Sequence, residues 1–214
     1  MSSNFSGTWE RVVTYVDGFN LYFGIREACL RQFLWLDVGK LAASLLKPGQ
    51  RLMSTKYFTS RVSGTPQDPG KVKRQAIYLD ALSAQPGIDI FYGQYLGKTS
   101  TCRNCGSSWR TYEEKMTDVN IAVQVMADFF LDKCDIGTIV SGDSDLAGLI
   151  QTLTPLFPHK RVVVAFPPKR VSMRLKSVAH AWLNVARKRL ADNQLPEKVT
   201  TSSGQVLERP PSWC

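Results

Sequence analysis

Apolar β-branched runs alternate with amphipathic stretches along this chain. That alternation predicts an α/β fold, a parallel sheet covered by helices. The first strand is expected at 11–16 and a helix at 19–30. A second helix is expected at 37–46, stopped by Pro48-Gly49. A strand follows at 52–62, a Pro/Gly loop at 63–70, a helix at 71–83 and a third strand at 88–96. The rhythm then breaks. Residues 97–114 are polar and predict an inserted loop or small hairpin. A helix resumes at 117–131, with Val119, Ala122, Val123, Met126, Phe129 and Phe130 as its expected apolar face. Strands are expected at 136–140 and 161–166, with a helix at 145–153 between them. Weaker elements follow at 171–176 and 180–190, the second read as helical. After Asp192 the chain turns polar, which predicts a flexible tail over 193–214 and one domain over 1–192.

Three acidic segments fall where strands or helices should meet. They are Val16-Asp17-Gly18-Phe19-Asn20, Lys115-Met116-Thr117-Asp118-Val119-Asn120 and Val140-Ser141-Gly142-Asp143-Ser144-Asp145. In an open α/β sheet, ligands bind outside the carboxyl ends of the strands. Right-handed crossovers bring all three segments to that edge. Carboxylates gathered there repel one another unless a cation or proton neutralises them. Mg²⁺ or Mn²⁺ suits such a set, because it takes a few carboxylate oxygens and leaves positions for water and phosphate. Asn20 lies a turn beyond Asp17 and could orient a water or a phosphate. Thr117 is the expected N-cap of its helix, with Asp118 in the first turn. An aspartate after a strand is also a common helix cap, so each segment alone is a weak signal. A haloacid-dehalogenase-like phosphotransferase needs a second Asp two residues after Asp17, and Phe19 stands there.

Charge narrows the partner. The 214 residues carry a net charge of +9, and no Asp or Glu occurs between Leu146 and Ala191. That stretch holds Lys160, Arg161, Lys169, Arg170, Arg174, Lys176, Arg187, Lys188 and Arg189. An acid-free basic stretch favours a phosphate-facing surface over a merely solvated face. In the insertion, Arg103, Trp109, Arg110 and Tyr112 combine cations with flat rings, the means by which single-stranded RNA is gripped. Lys115 could touch phosphate beside Asp118. Tyr22 and Phe23 follow Asn20 and could also approach substrate, although core packing is the simpler reading for both. The two histidines have no evident partners, which disfavours a histidine-based ribonuclease mechanism.

Cys102-Arg103-Asn104-Cys105 is half of a zinc site, since a two-residue spacer lets both thiolates reach one tetrahedral ion. The missing ligands would have to be remote or come from a second subunit in a homodimer. Cys29 and Cys134 are expected in helical, core-like surroundings. Five cysteines and no secretion-signal pattern suggest a reducing cytoplasm. No apolar run reaches the roughly 20 residues that span a bilayer, so no membrane partner is expected.

The three acidic segments, in their order and intervals, resemble those of NYN-domain proteins, the LabA-like branch of the PIN-like nuclease superfamily. The matching pieces are Val16 to Asn20, Glu114 to Val119 and Ser141 to Asp145. The resemblance implies a Rossmann-like, three-layer sandwich with a central parallel sheet and a small Cys-containing insertion. It implies Asp17, Asp118 and Asp143 as ligands of Mg²⁺ or Mn²⁺, with Asp145 and Asn20 in support. The expected activity is metal-dependent hydrolysis of RNA, which Lys169, Arg170 and Arg174 would help to hold. The alternatives are an inactive RNA-binding scaffold and a small-substrate phosphatase.

Overall fold

The computed structural model describes residues 9–64, 68–101 and 104–213, with backbone alone for 95–101 and 109–115. Six parallel strands form the central sheet. In chain order, β1 is Glu10–Asp17, followed by α1 (Gly18–Glu27), α2 (Val38–Ser44) and β2 (Gln50–Thr59). Next come α3 (Lys71–Ser83) and β3 (Ile88–Tyr92). An antiparallel hairpin, β4 (Gln94–Thr101) and β5 (Ser108–Lys115), leads into α4 (Thr117–Phe130). Then β6 (Ile136–Val140), α5 (Ala147–Leu156), β7 (Arg161–Phe166), α6 (Met173–Val178), β8 (Ala181–Asn184) and α7 (Arg187–Asp192) follow. A second hairpin, β9 (Lys198–Thr200) and β10 (Val206–Glu208), closes the described chain.

The sheet order is β3-β2-β1-β6-β7-β8. From β1 the chain winds outward through β2 to β3, then returns and winds the other way from β6. β1 and β6 therefore flank the switch point, where an open parallel sheet parts its crossovers and leaves a crevice. Both faces of the sheet are covered, which is why β6 and β7 read as unbroken apolar runs. On one face Val16, Tyr57, Val140 and Ala165 pack against α1, α2 and α3. On the other Val13, Tyr15, Phe58, Ile139 and Val164 pack against α4, α5 and α6. These are the three layers expected of a Rossmann-like, PIN-like sandwich.

Four expectations change. The strand at 88–96 is two strands, and the polar insertion is a hairpin that starts at Gln94. The helix at 180–190 is a strand, a bend and a short helix. Ala181–Asn184 pairs with Val163 to Phe166, a contact far along the chain that overrides weak local preference. The apolar face assigned to α4 mixes two stripes: of its members Phe129 is buried and Ala122 packs on the core, beside Ile121 and Val125, whereas Val119, Val123, Met126 and Phe130 are exposed. The tail expected to be flexible is packed from residue 193 to residue 213. Leu195, Val199, Leu207 and Trp213 enter the core, and the Trp35 indole N–H donates to Pro196 O at 2.7 Å. Trp213 lies edge-on to Tyr78 with ring centroids 5.6 Å apart. A handful of apolar residues spread through a polar stretch carries no periodicity, so composition misjudged it.

One charged pair is buried under α4. Lys56 Nζ lies 2.6 Å from Asp128 Oδ2, which also accepts a 2.9 Å hydrogen bond from the Tyr15 hydroxyl. Removing Lys56 would leave the buried carboxylate with its more distant partner Lys133, 3.5 Å away, a change that costs up to about 3–5 kcal/mol.

Candidate active site at the switch point

β1 delivers Asp17 to the crevice at its last residue, and the turn after β6 delivers Ser141, Gly142 and Asp143. A hydrogen-bonded chain ties the two strand ends together. Asp17 caps α1, its Oδ1 accepting from Asn20 N at 3.0 Å. Its Oδ2 accepts from the Ser141 hydroxyl at 2.9 Å. Ser141 Oγ accepts in turn from Asp143 N at 3.0 Å. Asn20 Oδ1 accepts from Gly142 N at 2.9 Å, and Asp143 Oδ1 from Asp145 N at 2.9 Å. Both oxygens of the buried Asp17 are thus oriented.

Two glycines let the elements meet. A Cβ on Gly18 would sit 2.6 Å from the Tyr57 ring, and one on Gly142 would overlap the carbonyl oxygen of Arg170. Neither has a positive φ, so close approach rather than turn freedom explains them. The second approach places Arg170 over the site. Its guanidinium pairs with Glu27.

The third segment enters from α4. Met116, not Thr117, takes the N-cap position, and it does so at φ 75°, the left-handed region. A non-glycine residue there stores on the order of 1 kcal/mol or more of strain, a feature that clusters at functional sites. Thr117 is the first helical residue instead, which corrects the expected cap. Asp118 follows on the first turn, facing the same space.

Asp17, Asn20, Asp118, Asp143 and Arg170 line one open cleft of about 230 Å³, walled by Phe19, Phe23, Met116 and Thr117. Burial first, then the charges of Asp143 and Asp145, push the Asp118 carboxyl above the usual carboxylate range. Among the described residues Asp118, Asp143 and Asp145 form no salt bridge. The donor set is hard oxygen, which fits Mg²⁺ or Mn²⁺ in kind. Among the described residues, however, no three His, Cys, Asp or Glu side chains stand close enough to hold one ion. The carboxylates share a cleft rather than a ready-made coordination shell.

The remaining candidates divide. Asp145 reaches the site through its backbone and its charge, not as a lining residue. Arg170 lines the cleft, while Lys169 and Arg174 are exposed on the segment beside it. The acid-free stretch is not one face. Lys160 and Arg161 sit near the opposite end of β7, paired with Asp132 and Glu10, and Lys188 pairs with Asp192. Lys176 stands 3.8 Å over the Trp182 ring. Of the insertion residues, Cys102 and Arg103 lie outside the described residues, as do the side chains of Trp109, Arg110, Tyr112 and Lys115. Cys105 is exposed, its Sγ 3.0 Å from the Ser107 hydroxyl. Cys134 is buried as expected, and burial raises its thiol pKa to about 11, but Cys29 is exposed. Phe23 reaches the cleft instead of the core. That was the less favoured of its two sequence readings; nothing in the sequence announced the strained Met116.

A second, mainly apolar cavity of about 70 Å³ lies behind Phe19, lined by Tyr22, Tyr57, Tyr78 and Trp213. Among the described residues no helix is long and apolar enough to cross a membrane.

The NYN domain family model matches residues 11–185. The 6-hydroxy-3-succinoylpyridine 3-monooxygenase of Pseudomonas putida is 30% identical over 177 residues, covering 67% of this chain and 55% of that protein. The chain therefore spans about half the length of that curated relative. A crystal structure of a protein of unknown function from Vibrio parahaemolyticus matches with a TM-score of 0.55 at 20% identity. That match covers 91% of this chain and 100% of the other, and it shows a shared fold.

Proposed function

Because the chain belongs to the NYN domain family, in the PIN-like superfamily, we propose that its acidic cleft hydrolyses phosphodiester bonds of single-stranded RNA with a bound divalent metal. The observation that carries this reading is the meeting of Asp17, Asp118 and Asp143 at the sheet's switch point, in a cleft that also holds Arg170. These three carboxylates would have to close in from their present separation to hold Mg²⁺ or Mn²⁺. Such an ion polarises a phosphoryl oxygen and lowers the pKa of a bound water. Ser141 and Asn20 keep Asp17 and the β6 turn in register, so Asp17 and Asp143 are oriented before substrate arrives. Arg170 supplies positive charge for a phosphate oxygen, and its partner Glu27 holds it over the cleft. Phe19 and Phe23 offer flat faces on which a base could stack. Lys169 and Arg174 extend the positive surface away from the cleft.

The test is cleavage of end-labelled RNA with Mn²⁺ by wild type, Asp17→Asn and Asp143→Asn. Each isosteric variant should lose at least about 100-fold in rate, the usual scale for a lost catalytic electrostatic contact. Equal rates in all three would sink the site. RNA binding that weakens steeply with salt, without cleavage by wild type, would replace the nuclease with an RNA-binding scaffold.

A second reading starts from the curated relative, whose name makes it a monooxygenase of a pyridine ring. The aromatic cavity behind Phe19 is the observation that favours it, because a flat heterocycle suits such walls. Loss of 6-hydroxy-3-succinoylpyridine in the presence of oxygen and a two-electron reductant would support it; an unchanged substrate would remove it.

A further inference from the structure

α4 is apolar on two opposite sides. Ile121, Val125 and Phe129 are buried against the sheet. The other side carries Met116, Val119, Val123, Met126 and Phe130, separated by three, four, three and four residues. They are 48, 58, 55, 42 and 80% exposed, and Leu131 beside them is 59% exposed. Alternating steps of three and four mark a seam that pairs with another helix. A helix that is apolar all round belongs in an interior. The stripe also lacks charge in a chain of net charge +9. Between Thr117 and Leu131 the charged residues are Asp118, at the cleft, and Asp128, buried with Lys56. Charge depletion is what distinguishes the centre of a protein interface from ordinary surface. At roughly 150–200 Å² for a fully exposed large side chain, the six residues present on the order of 600 Å², the upper end for a monomer's largest patch.

We propose that this face binds a second copy of the chain, α4 against α4, across a two-fold axis. A two-fold interface needs a patch that complements itself, and a seam centred on Val123 does so. Among the described residues the stripe offers no cation to a nucleic acid or an anionic membrane. The two helices run antiparallel, so Met116 of one copy lies beside Phe130 of the other. That arrangement opposes the two helix dipoles and keeps the two Asp118 carboxylates about 15 Å apart along the axis. Parallel pairing would bring them together. The seam supplies most of the roughly 800 Å² per partner of a standard interface. Each cleft then opens at one end of the seam. The proposal is independent of what the cleft catalyses.

Sedimentation velocity across a concentration series should give a species of twice the 24.0 kDa chain mass. Val123→Glu and Phe130→Glu place a charge on the seam at exposed positions, and each should raise the dimer dissociation constant about 100-fold or more. Their thermal unfolding at low concentration should match that of wild type, and Val119→Glu serves in place of either if it fails to fold. In a background with Cys29, Cys102, Cys105 and Cys214 replaced by Ser, Val123→Cys should form an intermolecular disulfide and Met116→Cys should not. A wild type that stays monomeric, or glutamate variants that dimerise as wild type does, would overturn the proposal. Crosslinking through Met116→Cys would overturn its antiparallel arrangement.

Discussion

Asp118 is a carboxyl group whose surroundings oppose its charge. Burial and the neighbours Asp143 and Asp145 raise its pKa, so the folded chain holds a proton that the unfolded chain has already lost. Below the usual carboxylate range both states are protonated and the group costs nothing. As pH rises through that range the unfolded chain ionises first, and stability falls until the folded group ionises as well. Asp118→Asn should therefore raise stability by about 0.5 kcal/mol near pH 7, a figure reduced for a half-exposed group. Near pH 3, below the ordinary Asp value, the gain should vanish. Thermal melts at the two pH values check both the size and the sign. The acidic residues themselves were legible in the sequence, because chemistry-bearing side chains after β-branched runs follow from local pattern. The reason for Gly142 was not. Its hydrogen faces the Arg170 carbonyl, a neighbour set only by the winding of the sheet.

At the scale of elements, α4 shows where periodicity stops being informative. Two stripes of helical spacing run along it, and the sequence reading joined parts of both. Which one faces the sheet depends on the register with β1 and β2, information that the helix alone lacks. The buried side is chosen by Ile121, Val125 and Phe129, and by Asp128 meeting Lys56. Ile121→Ala should cost about 2–5 kcal/mol, as a core truncation does. Val119→Ala, at protein concentrations low enough to keep the chain monomeric, should change stability by no more than about 0.5 kcal/mol. Urea titrations of the two variants would distinguish the stripes, and a reversed order of cost would refute the assigned face. The insertion was legible as a break in rhythm. Its strand pairing rests on contacts between Gln94 and Lys115 that no short window reveals.

At the scale of the molecule, the parallel sheet and the gathering of the three acidic segments at its carboxyl edge followed from the alternation of strands and helices, whereas the strand order did not. The packed segment 193–213 did not, because its few apolar residues reach across the whole fold. Trp213 touches Trp35 and Tyr78, and Arg209 donates to Gln32 O, 177 positions away. Trp213→Ala should cost about 3–5 kcal/mol, the range for truncating a buried aromatic, and a guanidinium unfolding curve would measure it. A cost under about 1 kcal/mol would mean that the segment is only loosely docked. The packed position of Trp213 also bears on the order in which the protein is made. Trp35 and Tyr78 leave the ribosome early, but the ring that covers them is synthesised 178 residues after the first and 135 after the second. Until then the nascent chain presents an uncovered aromatic surface, so this face of the sheet can finish folding only after residue 213 has emerged.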